Sequence, residues 1–113
     1  MELYYHGTDG DVLILRADGG LDSSNAEELV SELSRLVEAG ARKLIVDCSQ
    51  LGFISSYGVS VLVRLHKKLA ERGGQVKLAA VDSRIARFLD VAGLARVFQL
   101  YPNVDEARVA FRA

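Results

Sequence analysis

Two serines, Ser55 and Ser56, stand where the apolar run Leu51-Gly52-Phe53-Ile54 gives way to a helical pattern. A hydroxyl at such a boundary accepts from the backbone N–H groups that a first helical turn leaves without partners, and either serine fits the capping position. The same boundary tolerates a phosphate, because the helix dipole and the free N–H groups favour negative charge. From residue types alone, capping is the simpler reading. The remaining reactive side chains are few: one cysteine, Cys48, and two histidines, His6 and His66. Cys48 with His66 is the only thiol–imidazole pair the chain offers, and no third orienting group accompanies it. Cys48 therefore reads as a small buried hydrophobe after a strand. Asp22 and Asp47 fall at element ends, where carboxylates cap turns, and nothing pairs them as an acid and a base. Gly19-Gly20 and Gly73-Gly74 lack the spacing of a phosphate-cradling loop, and metal ligands at useful spacing are missing. The expectation is a protein without catalytic residues, metal or cofactor.

The composition that must position these residues is that of one ordinary domain over residues 1–113, with 50% hydrophobic and 26% charged residues. A chain of this size buries roughly two-thirds of its unfolded surface. A single cysteine excludes a disulfide framework and a Cys-rich zinc site. No apolar run approaches the roughly 20 residues of a membrane span, and Met1 to Gly10 has no basic segment leading into an apolar one, so a reduced, cytoplasmic setting is expected. Up to Ser56 there are 4 basic and 10 acidic residues, and from Tyr57 onward 10 basic and 5 acidic. The basic residues are spread over several elements without interleaved aromatics, which argues against nucleic acid as a partner.

Along the chain, Leu3 to His6 and Val12 to Leu15 are short apolar runs around Asp9-Gly10, the pattern of a β-hairpin. Ala26, Leu29, Val30, Leu33, Leu36 and Val37 then recur at spacings of three and four, predicting an amphipathic helix. Ser24 and Glu27 suggest a capping box at its start, and Gly40 a left-handed stop. Leu44-Ile45-Val46 reads as a covered strand. Gly58, Leu62, Leu65 and Leu69 share one stripe of a second helix that Gly73-Gly74 ends. Val76 to Val81 predicts a strand, and Asp82 or Ser83 caps a short helix burying Ile85, Phe88, Leu89 and Ala92. Val97 to Tyr101 is a weaker strand before Pro102, and Asn103 with Glu106 caps a last helix carrying Val104, Ala107 and Phe111. Alternating strands and helices imply parallel neighbours with right-handed crossovers. The expected fold is α/β, a single mixed sheet with an antiparallel edge strand and helices packed on it.

Gly20-Leu21-Asp22, the stretch from Leu44 to Val59, Gly74 to Leu78, and Ala92-Gly93-Leu94 with Val97-Phe98 together resemble the STAS domain family, in particular bacterial anti-sigma-factor antagonists. The likeness runs over nearly the whole chain. It implies partner switching: the antagonist binds an anti-sigma factor that is also a serine kinase of the histidine-kinase-type ATPase fold, the sigma factor is released, and phosphorylation of the antagonist ends the association. A phosphoserine phosphatase would reset the switch. Matched residue by residue, Ser56 occupies the phosphoacceptor position and Gly58 the glycine after it, whereas Ser55 stands where the family has Asp and Tyr57 where a small side chain is usual. A non-phosphorylated STAS subunit of a transporter or of a stress-signalling scaffold is the alternative. At 100° per residue, Ser56, Ser60, Val63 and Lys67 fall on the side of the second helix opposite its apolar stripe. With Ser55 and Tyr57 they form the expected partner-binding surface, and Val63 is expected to stand exposed in it.

Overall fold

A computed structural model describes residues 2–94 and 97–112. Its elements in chain order are β1 (Glu2–Asp9), β2 (Val12–Leu21), α1 (Ala26–Glu38), β3 (Lys43–Asp47), β4 (Leu51–Ile54), α2 (Ser56–Glu71), β5 (Gln75–Ala79), α3 (Ser83–Val91), β6 (Gln99–Tyr101) and α4 (Val104–Arg112). The sheet runs β1-β2-β3-β5-β6, with β4 pairing the far end of β2. Among the described residues only the β1–β2 pair is antiparallel, so the expected α/β architecture with an antiparallel edge is what forms. Gly10, at φ 61°, opens the two-residue connection between Asp9 and Val12, a position where a positive φ matches the strand twist and side chains resist it.

Period-two alternation divides the sheet between two cores. Leu15, Ala17, Leu44, Val46, Val76 and Leu78 face the main core under α1, α2 and α3. Val12, Ile14, Ile45 and Ala79 face the opposite way, against Ala107 of α4 with Val104 and Phe111 around it. The layer order explains why β3 carries the unbroken apolar run Leu44-Ile45-Val46 and why β5 is buried from Val76 to Ala79: both of their faces are covered. Lys77 of β5 is buried on the α4 side, where its ammonium donates to Gln99 Oε1 and, at 3.2 Å, to the Tyr101 hydroxyl. The same ammonium lies 4.6 Å from the centre of the Phe111 ring. Hydrogen bonds and the negative ring face together stand in for the lost water.

Several element ends differ from the sequence expectation. The Ser24–Glu27 capping box does not form: α1 begins at Ala26 after Asn25, because Ser24 turns back so that its N–H donates to Asp22 Oδ1 at 2.8 Å. Asn25 instead clamps the connection, accepting from Asp22 N–H at 3.0 Å and donating to Gly20 O at 2.7 Å. Gly40 does end α1, with its N–H on Val37 O and that of Ala41 on Leu36 O, the paired bonds of a Schellman motif. Leu51–Ile54 is a strand of its own, and the hairpin strands run on to Asp9 and Leu21. The β5 strand ends at Ala79 because Ala80 takes a positive φ of 57°. Phe88 and Ala92, expected inside, are exposed, and Phe98 is buried before β6 begins.

Asp9 ties the hairpin to α4. Its carboxylate accepts from Arg108 Nε at 3.1 Å and also from Arg112. The Arg108 hydrogen bond holds the Asp9 carboxyl below its ordinary value of 3.8. A carboxyl depressed in the folded state contributes stability that is complete above the ordinary value and lost as pH falls through the lower folded one. Asp9→Asn should therefore lower the thermal midpoint near neutral pH, and the difference from wild type should shrink in strong acid, as melts at a series of pH values would read.

Candidate functional site

The start of α2 is built against the end of β2. Parallel pairing sets Gly20 beside Phe53 and Leu21 beside Ile54, and Ser55 N–H continues that contact by donating to Leu21 O at 2.8 Å. Gly58 lies over the same carbonyl: a Cβ there would come within 2.9 Å of Leu21 O and 3.0 Å of Leu21 Cγ. A helix can begin this close to a strand end only where its third residue has no side chain.

This seating separates the roles of the two serines. Ser55 has an extended backbone, with φ −85° and ψ 166°, and its Oγ accepts from Gly58 N–H at 3.0 Å, so Ser55 is the cap. Ser56 is the first helical residue and is exposed. Among the described residues, no hydrogen bond engages its hydroxyl. The first turn of α2 carries no acidic side chain, unlike those of α1 and α4, which leaves the positive end of its dipole without a neutralising charge.

Around Ser56 the side chains are tied to α1. The Tyr57 hydroxyl donates to Glu27 Oε1, and Arg64 Nη2 reaches the same oxygen at 2.7 Å. The tyrosine hydrogen bond, followed by that of Arg64, holds the Glu27 carboxyl below its ordinary range, and the same carboxylate raises the Tyr57 phenol. Tyr57 is thereby held toward α1, although its ring remains 42% exposed. Ser60 donates from Oγ to Tyr57 O at 2.7 Å, turning its hydroxyl back onto its own helix. In the connection from β2 to α1, Asp22 is held low by hydrogen bonds from Ser24.

Of the residues expected to form the partner surface, Ser56, Tyr57, Ser60 and Lys67 are exposed and Ser55 is partly so. Val63 departs from the expectation: it is half-buried and packs against the main core. The cause is that the buried arc of α2 also includes Val59 and Val61, and Val63 lies only about 40° round the helix from Val59. Arg64 takes an outward place instead, and its pairing with Glu27, which the local pattern offered only as part of a capping box, had no signal because it spans 37 residues. Phe53 was visible only as part of an apolar run, yet it is 50% exposed.

The thiol–imidazole pair does not form. Cys48 is buried, its Sγ faces Val46 O at 3.6 Å, and burial pushes its thiol up to about 12. His66 stands edge-on to Phe98, with ring centres 5.9 Å apart. Among the described residues no cluster of three or more His, Cys, Asp or Glu side chains could hold a metal ion, and no helix is long and apolar enough to cross a membrane.

The STAS domain family model matches residues 6–107. A Bordetella bronchiseptica protein named as the anti-sigma factor antagonist BtrV is 30% identical over 112 residues, covering 99% of this chain and 96% of its own. The crystal structure of a Thermotoga maritima protein described as an anti-sigma factor antagonist superposes with a TM-score of 0.91 at 25% identity, over 98% of this chain and 95% of that one. The anti-sigma factor antagonist SpoIIAA, at 20% identity, shares the fold with a TM-score of 0.82 in its unphosphorylated form, over 98% of this chain and 96% of its own.

The division between the two serines has a direct consequence for stability. Ser55→Ala removes a cap and should cost about 1 kcal/mol, whereas Ser56→Ala should leave the denaturation midpoint nearly unchanged. Val63→Glu, which puts a carboxylate at a half-buried apolar position, should cost about 1 to 3 kcal/mol. Urea titrations of the three variants read these differences.

Proposed function

The chain belongs to the STAS domain family, and we propose that it is an anti-sigma factor antagonist that works by partner switching, with Ser56 as the reversible switch. In this reading it is a non-catalytic cytoplasmic regulator. Its partner is an anti-sigma factor that is also a serine kinase of the histidine-kinase-type ATPase fold, and a phosphoserine phosphatase restores the binding form. The observation that carries the reading is the exposed Ser56 hydroxyl, free of hydrogen-bond partners among the described residues, on the first residue of α2. The names of the relatives supply the class of partner.

The transfer step divides between the two proteins. Ser56 Oγ would attack the γ-phosphorus of ATP held by the kinase, with ADP leaving as the new O–P bond forms. The hydroxyl proton must go to the kinase, because Ser55 occupies the family's Asp position and its own oxygen is engaged by Gly58 N–H. The phosphate would bring about −1.5 to −2 charges. At the first residue of α2 the dipole and the unpaired N–H groups favour that charge, so the domain keeps its shape. An apolar or acidic partner surface set against the same charge would be repelled. Ser55, Tyr57 and Ser60 border Ser56 in this contact, Lys67 extends it about three turns further along α2, and Val63 contributes from beneath by packing.

Ser55 in the Asp position and Tyr57 beside the acceptor favour the second reading, a non-phosphorylated STAS subunit of a transporter or of a stress-signalling scaffold. One set of measurements separates the two. With the purified kinase, ATP and magnesium, mass spectrometry should find a single phosphate on wild type and none on Ser56→Ala, which should stay bound to the kinase. Ser56→Asp should fold normally and bind roughly ten- to a hundredfold more weakly. Phosphate on Ser55 or Ser60 would relocate the switch, and an unmodified chain that still binds would favour the second reading.

A further inference from the structure

Beyond the helix start, large apolar side chains gather on one exposed strip. Phe53 of β4 is 50% exposed, and Phe88 and Val91 of α3 are 40% and 82% exposed. Phe53 and Phe88 line one shallow groove with Gly52, Ile54 and Arg84, and Phe88 and Val91 line the next with Arg84 and Arg87. The strip is ordered by packing from below. The Phe53 ring lies so close over Gly20 that a Cβ there would be 2.0 Å from it, so the ring has a fixed seat. On α3, Ile85 and Leu89 face the core, which at 100° per residue turns Arg84, Arg87, Phe88 and Val91 together to the outside.

The charge left unpaired on this strip is positive. Arg84 pairs with Asp82, the cap of α3, at 3.2 Å. Arg87 is exposed and has no ion pair among the described residues. Asp90 lies about 60° away round the helix from Arg87, off the strip. Apolar surface flanked by arginines suits a partner segment that presents apolar side chains between carboxylates. A second copy of this chain fits poorly, since a two-fold contact would set the arginines of one strip against those of the other.

We propose that the Phe53–Phe88–Val91 strip is a second docking surface for the anti-sigma factor, and that it receives an apolar segment of that partner flanked by acidic residues. The proposal rests on the reading of the chain as an antagonist, because the strip begins three residues before Ser56 and continues the surface assigned to the same partner. Two contacts would then act together: the helix start carries the switch, and the strip supplies affinity that the phosphate does not touch directly.

The test uses the full chain and, as probe, the purified anti-sigma factor encoded in the same genome, titrated by calorimetry at two salt concentrations. Phe88→Ser should weaken binding by about tenfold or more with little change in the thermal midpoint, since the ring is already exposed. Arg87→Glu, which touches no packed side chain, should weaken binding and reduce its salt dependence, and it carries the test if Phe88→Ser folds poorly. Val109→Ser, on the exposed side of α4, should bind as wild type does. Wild-type affinity in both strip variants overturns this inference and leaves the antagonist reading standing, whereas a wild-type chain that binds no anti-sigma factor overturns both. A dimer in sedimentation that Phe88→Ser abolishes, with affinity for the probe unchanged, would assign the strip to a second copy and overturn the proposal.

Discussion

The close approach of α2 to the end of β2 is the constraint on which the rest of the site depends. Leu21 O accepts from Ser55 N–H at 2.8 Å, and Gly58 lies over the same residue, where a Cβ would fall 2.9 Å from that oxygen. These two contacts set where α2 begins and which way its axis leaves the sheet. They also decide which serine closes the helix and which stands exposed on its first turn. A larger residue at position 58 would push the helix away from Leu21 and move Ser56 with it.

The packing gives this arrangement a rigid base. The main core lies under α1, α2 and α3, while α4 seals the opposite face of the sheet with Ala107 and Phe111. Neither core includes Ser56. Charge added at the first residue of α2 therefore meets solvent and free backbone donors and not packed side chains, so a change at that position can alter a contact between proteins without altering the fold. This is the physical condition for a switch that acts by exclusion at a surface, in contrast to one that works by refolding.

The ties between α1 and α2 serve orientation more than stability. Glu27 joins Tyr57 and Arg64 on the surface, and exposed pairs of this kind add little free energy because water and salt screen them. Their effect is geometric, because the tyrosine that follows Ser56 is held toward α1. The same logic applies to Phe53, whose ring rests on Gly20. In both cases a large side chain next to the helix start is given a fixed place by a residue elsewhere in the chain.

Local order along the chain was readable from residue pattern alone. The alternation of β2, the three-and-four spacing of α1 and α2, the Gly40 stop and the Asn103 cap all depend on neighbours a few residues away, and the structure has each of them. The STAS likeness, carried by the run from Leu44 to Val59, was readable too. What sequence could not decide was set by contacts between distant segments. The β4 strand exists because Leu51–Ile54 finds the end of β2, and a four-residue apolar run carries no sign of its partner. Val63 is half-buried because the buried arc of α2 is wider than its leucine stripe, and Ser24 gives up the cap because Asp22 claims it. Which of two adjacent serines caps and which faces outward was likewise undetermined by residue type. It was settled by the distance between a glycine and a carbonyl oxygen 37 positions earlier in the chain.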